Sequence, residues 1–174
     1  MMTTDWKAEI SRVAYWKQLA AERAPRKIFP WHYPRVRATR EDILRAEACA
    51  AVRFSKDYID FLLHSNGWKC FFCNTDLFGT PEFLSGRASR EIEQPELRAF
   101  IQSVGFRMSD VTLIGSSDLE LDRFLLVSAT APTSPGQVIW FASEEVDRYT
   151  CFSEFFGSMV NYNAGIAEQM LHIK

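Results

Sequence analysis

The sequence predicts an α+β fold in which helices pack on one side of a curved antiparallel sheet. Five segments place apolar residues at the three- and four-residue spacing of a helix with one buried face. Short apolar segments dominate the second half of the chain. The loops between them are too short for a crossover, so neighbouring strands must run antiparallel. Apolar residues make up 47% of the 174 residues, which is enough to bury a sizeable core.

The N-terminal part of the chain predicts a helix followed by an irregular arm. The helix covers residues 5–23, with Trp6 and Val13 on its apolar side. Three prolines remove backbone amides from the arm at residues 24–38 and exclude a helix there. The aromatic residues of the arm indicate that it lies against the core.

Two helices follow the arm. The first covers residues 39–51, with Thr39 as its N-cap and Asp42 as the acid of a capping box. The second begins after Ser55, whose hydroxyl is expected to accept a hydrogen bond from a first-turn amide. Asn66 and Gly67 tolerate a positive φ, so this helix is expected to end there in a left-handed cap.

The rest of the chain predicts strands and two further helices. An aromatic strand covers residues 68–73, and a short strand or bend covers 76–79. Residues 80–90 are polar and contain glycine, which indicates a loose connection. Pro95 is well placed to begin a helix that ends at Gly105. Later strands are predicted at 111–114, 123–128, 137–142 and 146–149, and a C-terminal helix at 152–170.

Several of these segments together resemble the SUKH superfamily, small α+β domains related to the fungal cell-wall-assembly regulators. Five pieces in the right order carry the resemblance, and no single piece is specific. The first piece is the stretch at 61–79, which contains FLL, NGW and DLFG. The other four are TREDILRAE at 39–47, LIGSS at 113–117, VIW at 138–140 and FSEFF at 152–156. The resemblance covers residues 39–160 and departs from the family at Phe54-Ser55, where Leu-Pro is usual.

The resemblance has implications for function and domain organisation. In bacteria the superfamily is dominated by immunity proteins that neutralise secreted polymorphic toxins, many of them nucleases. It therefore implies a cytosolic immunity protein that binds and blocks a cognate protein toxin. It also implies one SUKH-like domain over residues 1–174, with the N-terminal helix and arm at 1–38 and the core at 39–174. A regulatory interaction module of the same fold, without a toxin partner, is the alternative.

The partner surface is expected where exposed side chains follow turns. Acidic residues in two neighbouring connections of the sheet could form a rim that meets a basic active site and speeds association. Trp68 and Lys69 lie on the tight turn after the third helix. The predicted partner-binding residues are Trp68, Lys69, Asp118, Glu120, Asp122, Glu144, Glu145 and Asp147. The competing interpretations are core packing for Trp68 and for Trp140, and a solvated turn for residues 118–122.

The cysteines and histidines do not form a pattern that predicts an enzyme. Cys70 and Cys73 form a lone C-x-x-C, whereas a structural zinc site needs four ligands and a redox pair sits at a helix N-terminus. One of these thiols could meet His64 around the turn, as nucleophilic catalysis requires, but a half-exposed helix histidine is the plainer interpretation. The acidic residues at 118–122 lack the glycine and final glutamate of a calcium loop. We expect no metal, no cofactor and no catalytic site.

The arm combines basic and aromatic residues, a combination that can grip single-stranded nucleic acid. These residues are Arg23, Arg26, Lys27, Arg35, Arg37 and Arg40, among Phe29, Trp31, His32 and Tyr33. The net charge of −2 favours the alternative, an arm packed by its aromatic rings, so no nucleic-acid partner is expected. The polar, acidic start of the chain and the lack of a long apolar segment predict neither a signal peptide nor a membrane span, and hence the cytosol.

Overall fold

The computed structural model describes residues 4–24 and 28–172. Within these residues the helices are α1 (Trp6–Arg23), α2 (Arg40–Ala50), α3 (Lys56–Leu62), α4 (Thr80–Leu84), α5 (Arg87–Glu91), α6 (Pro95–Ser103) and α7 (Phe152–Gln169). The strands are β1 (Trp68–Phe72), β2 (Thr75–Leu77), β3 (Val111–Ser116), β4 (Arg123–Val127), β5 (Val138–Phe141) and β6 (Glu145–Tyr149). A short 3₁₀ helix, Met108–Asp110, leads into β3.

The strands form one six-stranded sheet in the order β1-β2-β3-β4-β5-β6, and every neighbouring pair is antiparallel. Each strand therefore lies beside the next one along the chain, as short connections require. The predicted α+β class with an antiparallel sheet is confirmed, and the structure shows that the sheet is open.

The sheet curls strongly around α7. β1 and β5 are four strand spacings apart, and in a flat sheet about 19 Å would separate them at roughly 4.8 Å per spacing. The ring of Phe72 on β1 nevertheless lies 5.3 Å from the ring of Trp140 on β5, and both rings contact Tyr162 of α7. Register shifts in the β1–β2, β3–β4 and β5–β6 pairs help the sheet to bend.

Aromatic rings from three helices form the centre of the core on the α7 side. Trp6 of α1 lies 5.6 Å from Phe61 of α3 and 5.3 Å from Phe156 of α7. The second face of the sheet is also covered, because all six residues of β3 are buried. Phe141, at the end of β5, contacts Phe100 of α6 with ring centroids 4.5 Å apart. Such a two-sided core gives the sheet a fixed shape.

The first two helices begin where the sequence predicts. Asp5 caps α1, since its carboxylate accepts from the amide of Ala8 at 3.2 Å. Thr39 caps α2 by accepting from the amide of Asp42 at 3.1 Å, and its hydroxyl also donates to the Asp42 carboxylate. Ala51 then leaves α2 in the left-handed conformation. Pro25, Arg26 and Lys27 of the arm lie outside the described residues.

The junction between α3 and β1 differs from the prediction in two details. The hydroxyl of Ser55 donates to the carboxylate of Asp57 at 2.6 Å and accepts no first-turn amide, so the predicted cap contact is wrong. The helix ends at Leu62, before the predicted Asn66, and Gly67 alone takes the positive φ, at 85°. The reason is that Asn66 binds another segment: its side-chain oxygen accepts from the amide of Thr80 at 2.7 Å.

The predicted loose connection at residues 80–90 is wrong, because α4 and α5 occupy it. Glu82 anchors this segment. Its buried carboxylate accepts from both terminal nitrogens of the Arg35 guanidinium at 2.8 and 2.7 Å and from the amide of Gly79 at 2.8 Å. Helices of five residues are not stable alone, so distant contacts form them and local sequence cannot predict them.

Candidate functional site

Three hairpin connections meet at one end of the sheet. Asp76 pairs with Ser116, Ser116 with Arg123, and Arg123 with Phe141. The connections at residues 73–74, 117–122 and 142–144 therefore leave the sheet at the same end. Five of the predicted partner-binding residues come together there. We call them the acidic end: Asp118, Glu120, Asp122, Glu144 and Glu145.

The longest of these connections exposes apolar as well as acidic side chains. Ser117 shapes it, because its hydroxyl accepts from the amides of Leu119 and Glu120 at 3.0 and 2.9 Å. Leu119 remains 80% exposed and Leu121 65% exposed. The side chain of Asp118 is 89% exposed and only approaches the Arg87 guanidinium, at 3.9 Å.

Sequence reasoning missed these two leucines, although a signal was present. They alternate with acids immediately before β4, whose apolar residues already fill the core. No buried strand position is left for the two leucines, so they must lie at the surface.

Two acids at this end fix the loop in place. The carboxylate of Asp122 accepts from the indole nitrogen of Trp140 at 2.6 Å, and burial raises the pKa of Asp122 above its ordinary value. Glu120 accepts from the side-chain amide of Asn74 at 2.9 Å. Arg123 donates to the backbone carbonyls of Glu120 and Asp122 at 3.1 and 2.8 Å. The loop is thus tied to both neighbouring strands before any partner arrives.

The β5–β6 turn presents a second group of carboxylates. Glu145 accepts two hydrogen bonds from the guanidinium of Arg148, at 2.6 and 2.9 Å. Glu144 is exposed at the tip of the turn. Asp147 is exposed further along β6, where its carboxylate accepts from the backbone amide of Arg148 at 2.8 Å. Among the described residues, neither Glu144 nor Asp147 forms an ion pair.

The structure separates Trp68 and Lys69 from the acidic end. The prediction that Trp68 is exposed is wrong, because its ring is fully buried and its indole nitrogen donates to the carbonyl of His32 at 2.8 Å. Lys69 is exposed on β1, on the order of 10 Å along the strand from the hairpin turn. Trp140 is also buried, which favours the core-packing interpretation of that residue.

The thiols lie in surroundings that disfavour nucleophilic chemistry. Burial raises the pKa of Cys70, and it raises the pKa of Cys73 to about 11. Both thiols are therefore protonated near neutral pH and weak as nucleophiles. His64 is exposed, and its ring nitrogen Nδ1 lies 2.7 Å from the carbonyl oxygen of Asp60. No cluster of three or more His, Cys, Asp or Glu in residues 4–24 and 28–172 could hold a metal ion.

The described part of the arm packs against the core of the protein. Trp31 packs against the core and contacts Tyr33, with ring centroids 5.2 Å apart. Arg35 is held by Glu82, while Arg37 is exposed. Arg26 and Lys27, which belong to the predicted basic set, lie outside the described residues. No helix that the structure describes has the length and apolar composition for crossing a membrane.

Comparison with known proteins identifies one matching family. The model of the SMI1 / KNR4 family (SUKH-1) matches residues 37–158, which is more than half of the chain. The match begins just before α2 and ends within α7, so α1 precedes it. It includes the whole acidic end. No curated protein matches the chain.

Proposed function

Because the chain belongs to the SMI1 / KNR4 family (SUKH-1), we propose that it is an immunity protein that binds and neutralises a cognate secreted bacterial toxin. Membership of the family supports an immunity-like or related protein–protein interaction role. The toxin, the bacterial setting and the cytosolic location are what the proposal adds. The proposal treats residues 1–174 as one SUKH-like domain without catalytic activity.

The observation that carries the proposal is the combination of charge and apolar surface at the acidic end. Asp118 and Glu144 are exposed to solvent there, and Leu119 and Leu121 are exposed in the same loop as Asp118. Carboxylates of one sign steer a basic partner toward the surface, and apolar side chains supply area to bury once it arrives. Covering a leucine fully contributes on the order of 2 kcal/mol. A basic active-site cleft, such as that of a nuclease, has the complementary charge.

The acidic end is built before binding. The hydroxyl of Ser117 and the Asp122–Trp140 hydrogen bond hold the loop at 117–122 in place, and the Glu145–Arg148 ion pair holds the β5–β6 turn. A preformed surface loses little conformational entropy when it binds. The protein would neutralise the toxin by covering its active site, and an inhibitor complex of this kind typically buries about 1,600 Å².

Charge reversal at the acidic end is expected to weaken partner binding. We expect the double variant Asp118→Lys with Glu144→Lys to raise the Kd for the partner at least ~10-fold at low salt and to reduce its salt dependence, since steering is lost. The partner is captured from the producing cell with the wild-type protein, and the Kd is then measured by calorimetry at low and high salt.

The matched control reverses two exposed acids elsewhere. Glu22 and Glu41 are exposed residues of α1 and α2 and belong to none of the three hairpin connections, and Glu22→Lys with Glu41→Lys makes the same change in net charge. Equal losses of affinity in the two double variants would mean that only net charge matters, and the proposal for the acidic end would fail. Growth of cells that express the toxin separates immunity from the regulatory alternative, because only an immunity protein restores it.

A further inference from the structure

A cleft beside α7 combines aromatic rings with a carboxylate. It has a volume of about 470 Å³ and lies between the C-terminal half of α7, the end of β1 and the outer strand β6. Phe72, Asp147, Ser158, Tyr162 and Gly165 are among the residues that line it. The volume is within the range of roughly 300–1,000 Å³ found for pockets that bind ligands.

The apolar wall of the cleft is aromatic. Phe72 and Tyr162 meet at a ring-centroid distance of 6.0 Å and an angle of 68°, and Tyr162 also meets Trp140 at 5.2 Å. Phe72 is only partly buried, and Tyr162 is exposed although it is a large aromatic residue. Aromatic faces next to solvent attract cations, because the π-system carries partial negative charge.

The polar side of the cleft contains oxygen atoms with unused hydrogen-bonding capacity. The carboxylate of Asp147 has a backbone amide as its partner and forms no ion pair among the described residues. The buried hydroxyl of Tyr149 lies near Asp147 and Ser158 but has hydrogen-bond geometry with neither of them. A buried polar atom without a partner loses free energy that an incoming donor would restore.

Aromatic faces beside an unpaired carboxylate favour a planar cation with several donors. A guanidinium stacks on aromatic rings and donates two parallel hydrogen bonds to one carboxylate, whereas an ammonium does neither as well. We propose that this cleft accepts an arginine side chain of the protein partner, stacked against Tyr162 and Phe72 and hydrogen-bonded to Asp147. This inference rests on the proposed function and names one anchor of the partner.

The location of the cleft agrees with this role. Asp147 is two residues from Glu145 on the same strand, so the cleft continues from the acidic end along β6. A basic partner drawn to the acidic end would meet the cleft at its border. Arginine is also among the residues that most often anchor protein interfaces.

Two glycines of α7 provide a matched pair for the test. A Cβ atom added at Gly165 or at Gly157 would meet nothing within 4 Å, so a side chain can leave the backbone at either position without displacing another atom. Gly165 lines the cleft beside α7, whereas Gly157 lines a different surface near the start of α1. Leucine is a better helix former than glycine, so we expect both variants to fold. Because Gly165 lines the cleft, we expect the leucine side chain of Gly165→Leu to occupy it.

The test uses a capped Gly-Arg-Gly peptide, with Gly-citrulline-Gly as its uncharged counterpart of the same shape. NMR titration is expected to show shifts of the amides of Asp147, Tyr162 and Gly165 with the arginine peptide and none with the citrulline peptide. We expect Asp147→Asn to weaken the binding at least ~10-fold. Gly165→Leu should abolish it, and Gly157→Leu should leave it unchanged. Equal shifts with both peptides, or no shifts at these residues, would overturn the proposal.

Partner affinity separates this inference from the proposed function. We expect Gly165→Leu to weaken partner binding at least ~10-fold relative to Gly157→Leu, as loss of a buried anchor does. If Gly165→Leu blocks the arginine peptide but binds the partner as the wild type does, the inference about the cleft is wrong and the proposal for the acidic end is unaffected. If the cleft variants weaken partner binding and charge reversal at Asp118 and Glu144 leaves it unchanged, the proposal that the acidic end binds the partner is wrong instead.

Discussion

Replacing Gly79 with alanine is expected to destabilise the protein by at least ~3 kcal/mol, the range of the most severe single substitutions. An added Cβ atom would lie 2.1 Å from the carbonyl oxygen and 2.3 Å from the carbonyl carbon of Asn66. These are main-chain atoms, and Asn66 is itself bound to Thr80 through two hydrogen bonds, so neither segment can move aside freely. Urea unfolding followed by circular dichroism gives the free energy of unfolding of both proteins.

The control for this prediction is Gly157→Ala. The Cβ atom at Gly157 has open space, and alanine is the better helix former, so we expect no loss of stability. The conformation of Gly79 is extended, with a φ of −119°, and alanine adopts it readily. Any loss at Gly79 therefore reports the close approach of the two backbones. Stabilities of Gly79→Ala and wild type within ~0.5 kcal/mol would contradict the described junction between α3, β2 and α4.

Replacing Lys17 with methionine is expected to stabilise the protein by on the order of 3 kcal/mol at pH 7, from the 1.36 kcal/mol that each pKa unit represents. Lys17 lies on α1 and is only 6% exposed, and it forms no ion pair within the described residues. Burial lowers its pKa from 10.5 to about 8, although the nearby thiols of Cys70 and Cys73 oppose the shift. Methionine keeps most of the apolar stem and removes the buried charge.

The same substitution is expected to change how stability depends on pH. Between pH 8 and 10.5 the unfolded state holds the Lys17 proton and the folded state releases it, so Lys17 makes stability rise with pH across this window. Cys73, whose pKa is raised to about 11, acts in the opposite direction, and because Lys17 lowers the pKa of Cys73, removing Lys17 strengthens that opposing effect in the variant. The gain from Lys17→Met, measured by urea unfolding, should therefore shrink from pH 7 to pH 10. A gain that stays constant over this range would contradict a buried, charged lysine.

Local sequence signals placed most elements of the fold. Thr39, Pro95 and Gly105 mark helix boundaries by backbone chemistry that acts within a few residues, and the structure has those boundaries. The helices α4 and α5 were not predictable, since Glu82 holds them through Arg35, which is distant in sequence. Trp68 shows a similar limit. An aromatic residue after a turn has the same local pattern whether it is exposed or, as here, covered by the arm.

The candidate site was partly predictable from the strand order. Once the strands at 111–116, 123–127 and 138–141 are antiparallel neighbours, their connections must bring Asp118 and Glu144 to one end of the sheet. The cleft beside α7 was not predictable in this way. It exists because the sheet curls until Phe72 lies against Trp140 and both rings contact Tyr162, and no local pattern encodes the degree of curling.

Hydrogen–deuterium exchange of the free protein and of its complex tests most directly the central claim that the acidic end is the binding surface. Slower exchange in the complex is predicted for amides of the loop at 117–122 and of the β5–β6 turn at 142–145, because the partner covers them. Exchange on the exposed side of α2 should stay the same. Unchanged exchange at both connections, with protection appearing on α2 or the arm, would contradict the claim and move the binding surface to the other end of the molecule.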